Sequence, residues 1–357
     1  MFEKAPWVVT ASAIASSAVC AAALFGVTSV SAQDQVLNLY SARHYTTDEA
    51  LYSDFTKATG IKINRVDADD AGILARLKAE GTASPADVIM LVDVARLYKG
   101  DTEGLFLPIK SALSEKAIPA PLRAKASTDG TTWFAYSTRA RVIVHDKVKV
   151  KRADIDTYEE LGDAKNKGLV CTRSGSHPYN LSLFGAVAEH IGDAKAEVWL
   201  KGVVDNMARS PKGGDTDQIR AVAAGECGIA VTNTYYVARL MRSDKPEDKA
   251  VMDKISVVFP NQGSWGTHMN VSGAAVAKNA KNTGNAVRFM EYLASPSAQE
   301  YFANGNNEYP TVAGIKLNNK ALADMSAGSF KQEALPVAAI GASQVKIQQM
   351  LDRVGYK

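Results

Sequence analysis

Strand and helix signals alternate along this chain, and that order limits its fold more than any other feature. Residues 36–40 and 61–66 have the pattern of strands, and residues 87–91 have the apolar run of a buried parallel strand. A helical segment with acidic residues in its first turn ends at Gly60, and another covers residues 71–80. This β-α-β-α-β order predicts a parallel sheet with helices on both faces.

A second unit of the same kind lies between about residues 140 and 269. The predicted elements from there on are strands 141–145, 168–171, 228–232, 255–259 and 271–277, and helices 180–191, 194–207, 216–224 and 286–293. A chain of 357 residues exceeds one typical core, so two domains are expected. In open α/β sheets, ligands bind beyond the carboxyl ends of the strands. That rule points to three loops, residues 41–47, 172–179 and 233–236.

Charge and motif content exclude several classes of function. The formal net charge of +3 is too small to indicate a nucleic-acid or acidic-lipid partner. The sequence has no HExxH, GxSxG or Walker motif, so zinc hydrolases, serine hydrolases and P-loop enzymes have no support. Ser174 lies near His177, but that spacing within one loop is weak evidence for a nucleophile and its base. We therefore expect a protein that is not an enzyme.

The first 32 residues have the features of a cleaved signal peptide. Lys4 gives a weakly positive start, small apolar residues follow from 7 to 30, and Val30-Ser31-Ala32 resembles a signal-peptidase site. A membrane helix is the alternative, but the segment is rich in Ala and Ser and lacks basic stop-transfer flanks. We expect the mature chain to begin at Gln33 and to act in the periplasm.

Two cysteines, Cys171 and Cys227, remain when the leader with Cys20 is removed. Exported proteins fold in an oxidising compartment, so one disulfide between them is favoured over two separate buried thiols. Both cysteines lie beside predicted strands that can be neighbours in one sheet. Neither has a CxxC spacing, so we expect no zinc or iron–sulfur site built on thiolates.

Two adjacent tyrosines, Tyr235 and Tyr236, open the helix that follows the strand at residues 228–232. Neighbours on a helix point about 100° apart and cannot share one core face, whereas at a strand-to-helix junction both rings can lean over one crevice. Tyr179 and the pair His44-Tyr45 lie in the other two loops at the same end of the sheets. One loop tyrosine is usually a packing residue, but four phenols and an imidazole at one edge indicate a site.

The chemistry of phenols indicates which ligand such a site would take. Phenolate oxygen is a hard anionic donor, which suits a hard trivalent cation such as Fe³⁺. Phenol titrates at about pH 10, so each ligand loses a proton as the metal binds, and binding weakens on acidification. Several phenolates leave the site neutral or negative, and buried negative charge needs a cationic partner. Arg43, Arg139 and Arg141 are the candidates. Ordinary surface ion pairs are the alternative for all three, and for Arg139 the two interpretations have equal support.

Seven segments of the mature chain carry a family resemblance. They are YSARHY (40–45), FTKATGIKI (55–63), SPADV (84–88), STRARVIV (137–144), NTYY (233–236), SGAAV (272–276) and EYP (308–310). In this order and spacing, the chain resembles the periplasmic ferric-iron-binding proteins of ABC transporters, which belong to the transferrin-like superfamily. It is most similar to the cyanobacterial type that binds iron through tyrosines without a synergistic anion. The resemblance covers nearly all of the mature chain.

The resemblance implies a two-lobed type II periplasmic binding protein. Each lobe is then a mostly parallel sheet flanked by helices, and two crossover strands, near residues 136–141 and 267–271, join the lobes. The N-terminal lobe would comprise residues 33–139 and 270–318. The C-terminal lobe would comprise residues 140–269 and 319–357.

The resemblance also implies a function and a ligand set. The protein would bind Fe³⁺ in the cleft between the lobes and deliver it, as a monomer, to an ABC permease in the inner membrane. The implied ligands are His44, Tyr45, Tyr179, Tyr235 and Tyr236. Arg43 and Arg141 are expected close behind them.

One departure from the family pattern favours the tyrosine-rich branch. The anion-using bacterial branch has a glutamate ligand shortly after the Ser-Pro-Ala-Asp motif, and Val92 stands there in this chain, beside Asp93. Tyr45 is the expected substitute, and His44 can instead lie behind the ligands. A carrier of the same fold for an organic anion or polyamine is the alternative function. It would need an aromatic box or an arginine clamp, and phenols clustered on separate loops argue against it.

Overall fold

The structure is a computed structural model that describes residues 1–3, 35–43 and 45–357. The predicted signal peptide, apart from its first three residues, and the predicted ligand His44 lie outside the described residues. No helix formed by the described residues combines the length and the apolar character needed to cross a bilayer.

Within the described part of the chain, ten strands and fourteen α-helices form, with short 3-10 helices between them. The strands are β1 Val36–Ser41, β2 Lys62–Asp67, β3 Val88–Leu91, β4 Phe106–Leu107, β5 Trp133–Asp146, β6 Val170–Cys171, β7 Ile229–Asn233, β8 Ile255–Val258, β9 Met269–Ala277 and β10 Tyr309–Pro310. The helices are α1 Asp48–Thr59, α2 Asp70–Glu80, α3 Val94–Thr102, α4 Ala112–Ala117, α5 Pro178–Ile191, α6 Asp193–Asp205, α7 Asp215–Ala223, α8 Thr234–Met241, α9 Pro246–Lys254, α10 Thr283–Leu293, α11 Pro296–Asn304, α12 Lys320–Met325, α13 Val337–Ala342 and α14 Gln344–Val354.

Two strands serve both lobes of one continuous sheet. The strand order is β2-β1-β3-β9-β5-β7-β6, with β4, β8 and β10 paired at the sides. β1 is parallel to β2 and β3, whereas β9 is antiparallel to β3 and β5. β5 pairs with β9 through residues 133–140 and with β7 through residues 141–145. β5 and β9 therefore have the places that the predicted crossover strands require.

β5 is longer than the sequence pattern indicated. It begins at Trp133, whereas the predicted strand begins at residue 141. All its residues except the last are buried, so it lacks the alternation of apolar and polar residues that marks a half-exposed strand. Burial on both faces removes the alternation, and the polar residues Ser137, Thr138 and Arg139 interrupt the apolar run by which a buried strand such as β3 is recognised.

Helices pack on both faces of the sheet in each lobe. In β1, Leu37 and Leu39 lie in one core with Phe55, whereas Tyr40 lies in a second core on the other face. Successive strand residues point to opposite faces, which explains this division. The strand β5 makes the same division in the other lobe, where Ile143 and the next residue belong to separate cores.

The C-terminal helices α13 and α14 pack against different lobes. Ile347 and Leu351 of α14 lie in the core that contains α5 and α6. Val337 and Ile340 of α13 instead lie in a core with Leu97 of α3. The predicted assignment of residues 319–357 to the C-terminal lobe stays a prediction, and α13 is the part of that segment that packs toward the other lobe.

Cys171, at the end of β6, and Cys227, just before β7, form a disulfide, the pairing that the sequence favoured. Both cysteines also lie in one apolar core with Val144 of β5. The bond fastens the edge of the sheet at the point where the chain leaves toward the loop of residues 172–179.

Removing this disulfide is expected to lower the free energy of unfolding by about 2–4 kcal/mol, because the cross-link restricts the unfolded chain. In the parent protein the disulfide closes a loop between cysteines that are 56 positions apart, and the double variant Cys171→Ala/Cys227→Ala has no such loop. Urea unfolding of the mature protein measures the difference, with the dithiothreitol-treated parent as the matched control. Equal stability of the double variant and the oxidised parent would contradict this expectation.

Candidate functional site

Four tyrosines from three loops meet between the two lobes. Tyr45 follows β1, Tyr179 is the second residue of α5, and Tyr235 and Tyr236 lie in the first turn of α8. The hydroxyls of Tyr179 and Tyr235 are 3.2 Å apart. The ring centroid of Tyr235 lies 5.7 Å from that of Tyr45 and 4.2 Å from that of Tyr236. The structure thus brings together the four phenols that the sequence placed at one edge of the sheets.

The junction of β7 and α8 places two adjacent tyrosines over the same crevice. The backbone N–H of Ala140 in β5 donates to Thr234 Oγ1 at 3.3 Å, which ties the start of α8 to the crossover strand. Tyr235 is fully buried behind the cleft, and Tyr236 is half-buried and lines it. The strand-to-helix junction therefore produces the arrangement that a continuous helix could not.

Tyr179 is held by the N-terminus of α5. The Nδ1 atom of His177 accepts a hydrogen bond from the backbone N–H of Tyr179 at 3.2 Å and so caps the helix. The two rings meet edge to face, with centroids 4.6 Å apart. Burial and then the charge of Arg173 lower the pKa of His177 to about 3. His177 is therefore a neutral imidazole beside the phenols at physiological pH.

A cavity of about 630 Å³ lies beside the tyrosines, with walls from both lobes. Its lining includes Arg43, Tyr45, Asp70, Val92, Arg173, His177, Tyr179 and Tyr236. Burial raises the pKa of Asp70 to about 6, and its Oδ1 accepts from the Val92 N–H at 2.8 Å. The cavity is therefore polar, with phenols, an imidazole, a carboxyl group and guanidinium groups on its walls.

Asp93, the neighbour of Val92, does not line this cavity. Its Oδ1 accepts from Ser182 Oγ at 2.8 Å and caps α3, and its Oδ2 accepts from Asn270 Nδ2 at 2.7 Å. Both carboxylate oxygens are therefore used where α3, α5 and β9 meet. Asp93 therefore links the two lobes to a crossover strand. It does not take the place of the glutamate ligand that the anion-using branch has where Val92 stands in this chain.

Three phenols of the cluster hold their protons more tightly than a free tyrosine. Burial raises the pKa of Tyr45, Tyr179 and Tyr235 above the ordinary value of about 10. Each phenolate would also repel its neighbours, which raises these pKa values further. The positive charge of Arg139 acts in the opposite direction on all three.

Arg139 lies in the middle of β5 and faces the phenols. Its side chain is buried, its Nη1 donates to Ser272 Oγ at 2.9 Å, and its guanidinium lies 5.5 Å from the ring centroid of Tyr179. Burial works against its charge, but the phenols and Glu308 raise its pKa above the ordinary value. Arg139 is therefore a buried cation, not the surface ion pair that the sequence left open.

Arg43 lies directly against Tyr45, but two carboxylates share its charge. Its Nε donates to Asp48 Oδ2 at 2.6 Å and its Nη2 donates to Glu308 Oε2 at 3.2 Å. The guanidinium lies 4.7 Å from the ring centroid of Tyr45. The charge of Arg43 is therefore largely balanced before any phenol loses a proton, and its place behind a set of metal ligands stays a prediction.

Arg141 organises the side of the site that belongs to the second lobe. It forms a buried ion pair with Asp215 and donates to Asn180 Oδ1 at 3.0 Å. Asp215 also pairs with Arg173 at 3.1 Å and accepts from the Asn233 N–H at 2.8 Å. Burial alone would raise the pKa of Asp215, but the two guanidinium groups hold it below its ordinary value. This network fixes the start of α5 relative to the end of β7, and so positions the tyrosines that they carry.

Asp215→Asn is expected to lower the free energy of unfolding by about 3–5 kcal/mol, because it leaves buried guanidinium groups without a counter-charge. The pKa of Asp215 is depressed in the fold, so its contribution is complete above the unfolded pKa of about 4 and is lost as pH falls through the folded value. Urea unfolding at neutral pH and at stepwise lower pH measures both effects. Asp205→Asn removes an exposed carboxylate and should change stability little; an equal loss in both variants would contradict the expectation.

Three residues of the site had no role assigned from the sequence. His177 lacks the spacing of a metal motif, and Asp215 looks like an acidic residue in a helix start. Glu308 opens the EYP segment, and that resemblance was the one signal available for it. Its contact with Tyr45 joins residues 263 positions apart, which no local pattern reveals.

Similarity to known proteins extends over most of the chain. The family described as bacterial extracellular solute-binding protein matches residues 50–327. This chain belongs to that family. Iron uptake protein A1 from Synechocystis is 44% identical to this solute-binding protein over 325 residues, which cover 91% of this chain and 88% of the relative.

Two solved structures have the same fold as this solute-binding protein. A Trichodesmium protein, described as IdiA and FutA in complex with iron and citrate ligands, has 48% sequence identity and a TM-score of 0.84, and covers 90% of this chain and 100% of its own. The ferric binding protein from Campylobacter jejuni has 38% identity and a TM-score of 0.84 over the same shares, 90% and 100%. The predicted two-lobed α/β fold and the resemblance to ferric-iron-binding proteins are confirmed.

Proposed function

We propose that this protein binds Fe³⁺ between its lobes and carries it to an ABC permease for iron uptake. The proposed ligands are the four phenol oxygens of the cluster and one imidazole: Tyr45, Tyr179, Tyr235, Tyr236 and His44. The place of His44 in this set rests on the family resemblance, because that residue lies outside the described part of the chain.

The convergence of four phenols from both lobes carries this proposal. Deprotonation of Tyr179 and Tyr235 would leave two phenolates with oxygens 3.2 Å apart in a buried site, an arrangement that needs a cation beside it. Phenolate is a hard donor, so the cation it favours is hard and highly charged. An organic cation such as a polyamine has no comparable demand for several phenolates.

The charge balance also favours a trivalent ion. Four phenolates and one Fe³⁺ sum to a single negative charge, and Arg139 is a buried cation that faces the phenols. No carboxylate among the described residues forms a direct ion pair with it, although the charge of Glu308 raises its pKa. A divalent ion would leave a second buried negative charge, which costs more to hold away from water. Arg139 therefore complements the ferric complex better than the ferrous one.

The family and the names of its members support the biological role. Iron uptake protein A1 and the ferric binding protein from Campylobacter jejuni share this fold or sequence. We place the protein in the periplasm after removal of residues 1–32, as a monomer that has an inner-membrane permease as its partner. The lobes, residues 33–139 with 270–318 and residues 140–269 with 319–357, close on the ion by bending at β5 and β9.

Titration of the purified mature protein with ferric citrate tests the proposal. Charge transfer from phenolate to iron gives a visible absorption band, and we expect this band to saturate at one iron per chain. The metal-free protein and a titration with zinc citrate serve as controls, because neither gives such a band. A titration without a visible band would overturn the ferric assignment and direct the search to organic anions and polyamines, the alternative cargo.

A further inference from the structure

Glu308 is a buried carboxylate directly behind Tyr45. Its side chain has no solvent exposure, and its Oε1 accepts a hydrogen bond from the Tyr45 hydroxyl at 3.2 Å. Its Oε2 accepts from Ser137 Oγ at 2.8 Å and from Arg43 Nη2 at 3.2 Å. Since both oxygens act as acceptors, the Tyr45 phenol is in its protonated form in this contact.

The segment that carries Glu308 also connects the two halves of the tyrosine cluster. Asn306 Nδ2 donates to Asp48 Oδ1 at 2.6 Å, on the side of Tyr45. Arg242, at the end of α8, donates to Asn307 Oδ1 at 2.6 Å and to the Asn304 carbonyl at 2.8 Å. The other end of α8 carries Tyr235 and Tyr236, so residues 304–308 set the position of Tyr45 relative to these phenols.

We propose that Glu308 is a positioning residue. It holds the Tyr45 hydroxyl by a hydrogen bond in the metal-free protein, and this bond is lost when the phenol oxygen of Tyr45 binds Fe³⁺. This inference rests on the proposed function. It adds a metal-free state in which the proposed ligand Tyr45 is hydrogen-bonded to Glu308. In the exchange, the Tyr45 O–H bond breaks, the phenolate oxygen binds the metal and the proton leaves to water in the cleft. No atom is oxidised or reduced.

The sign of the effect follows from the charges. Loading replaces four neutral phenols by four phenolates and one Fe³⁺, so the site becomes more negative by one charge. The carboxylate of Glu308, which is paired with Arg43, repels that added charge. Glu308→Gln keeps the size and one acceptor oxygen but removes the repulsion and weakens the hold on the hydroxyl.

We expect Glu308→Gln to increase ferric affinity about threefold to tenfold, which lies in the lower part of the range of coupling between contacting groups. In the Tyr45→Phe background the same substitution should change affinity less than about twofold, because the oxygen that Glu308 holds is absent. Competition with nitrilotriacetate, followed by the visible band, measures all four proteins of the cycle. A general loss of packing would instead weaken binding in both backgrounds, and that result would overturn the inference.

A second measurement needs no metal. 3-Fluorotyrosine placed at position 45 reports its hydrogen bond through its ¹⁹F resonance, which should shift in Glu308→Gln. Glu333→Gln is the matched control, because Glu333 is also a buried carboxylate but binds His268 and the Met269 N–H away from the phenols. A resonance at position 45 that does not distinguish Glu308→Gln from Glu333→Gln would overturn the inference. If the parent gives no visible band but this shift occurs, the ferric function fails while the hold of Glu308 on Tyr45 stands.

Discussion

Tyr235→Phe is expected to weaken the visible band, since three of the four proposed phenolates remain, and to lower ferric affinity by at least about a hundredfold. Loss of a group that hydrogen-bonds to a metal ligand already lowers metal affinity about 10- to 100-fold, and Tyr235→Phe removes a proposed ligand itself. The ring of Tyr235 stays in place between those of Tyr45 and Tyr236, so the packing of the cluster is retained. Titration with ferric citrate, followed by competition with nitrilotriacetate, gives both quantities.

Tyr309→Phe is the control for this substitution. Tyr309 is buried, packs against Phe330 with ring centroids 5.4 Å apart, and has no hydrogen-bond partner for its hydroxyl among the described residues. Loss of that hydroxyl should leave ferric affinity unchanged within about twofold. If Tyr235→Phe behaved like Tyr309→Phe, Tyr235 would not be a ligand.

Arg139→Gln is expected to lower ferric affinity at neutral pH by about 10- to 100-fold. Arg139 lowers the pKa of Tyr45, Tyr179 and Tyr235, which burial has raised. Without this cation the phenols hold their protons more tightly, so the metal must displace protons at greater cost. The pH at which half the iron is lost should therefore rise, by roughly one unit.

A titration of the visible band from neutral to acid pH measures this midpoint. Arg139→Lys keeps a positive charge on β5 and should restore most of the parent's midpoint, although it lacks the planar guanidinium that donates to Ser272. Both variants need thermal unfolding curves close to the parent's for the comparison to hold. An unchanged or lower midpoint in Arg139→Gln would contradict the role assigned to this charge.

Local sequence patterns predicted most of the strands but did not predict several helices, α3, α4 and α14 among them. The strands at residues 36–40 and 61–66 were placed within one residue at each end, because half-buried strands and capped helices leave periodic signals. The local pattern did not mark the first half of β5, where burial on both faces removes alternation, and only the family resemblance placed a crossover strand near residues 136–141. The packing of α13 on α3 was not predictable either, because the sequence of this short apolar helix does not indicate which lobe it will contact.

The site was predictable where its residues follow strand ends and unpredictable where it depends on distant contacts. Tyr179 and Tyr235 follow β6 and β7, and parallel neighbouring strands bring such positions to one edge. Glu308 and Asp215 reach the site only through the fold, from 263 positions away in the first case. Arg139 was named as a candidate, but its solvent exposure depends on how the two halves of the sheet share β5, which local sequence patterns do not contain.

Ser137, Arg139 and Arg141 occupy alternate positions of β5 and therefore point to the same face of the strand. Ser137 contacts Glu308, Arg139 faces the phenols, and Arg141 pairs with Asp215. The strand that joins the lobes therefore also carries the positive charge of Arg139, which lowers the pKa of the phenols. Under the proposed function, a permease that spreads the lobes would change the distance between this charge and the phenol oxygens, and a longer distance would raise the pKa of the phenols. Protonation of the phenols would then release Fe³⁺ without direct contact between the permease and the metal.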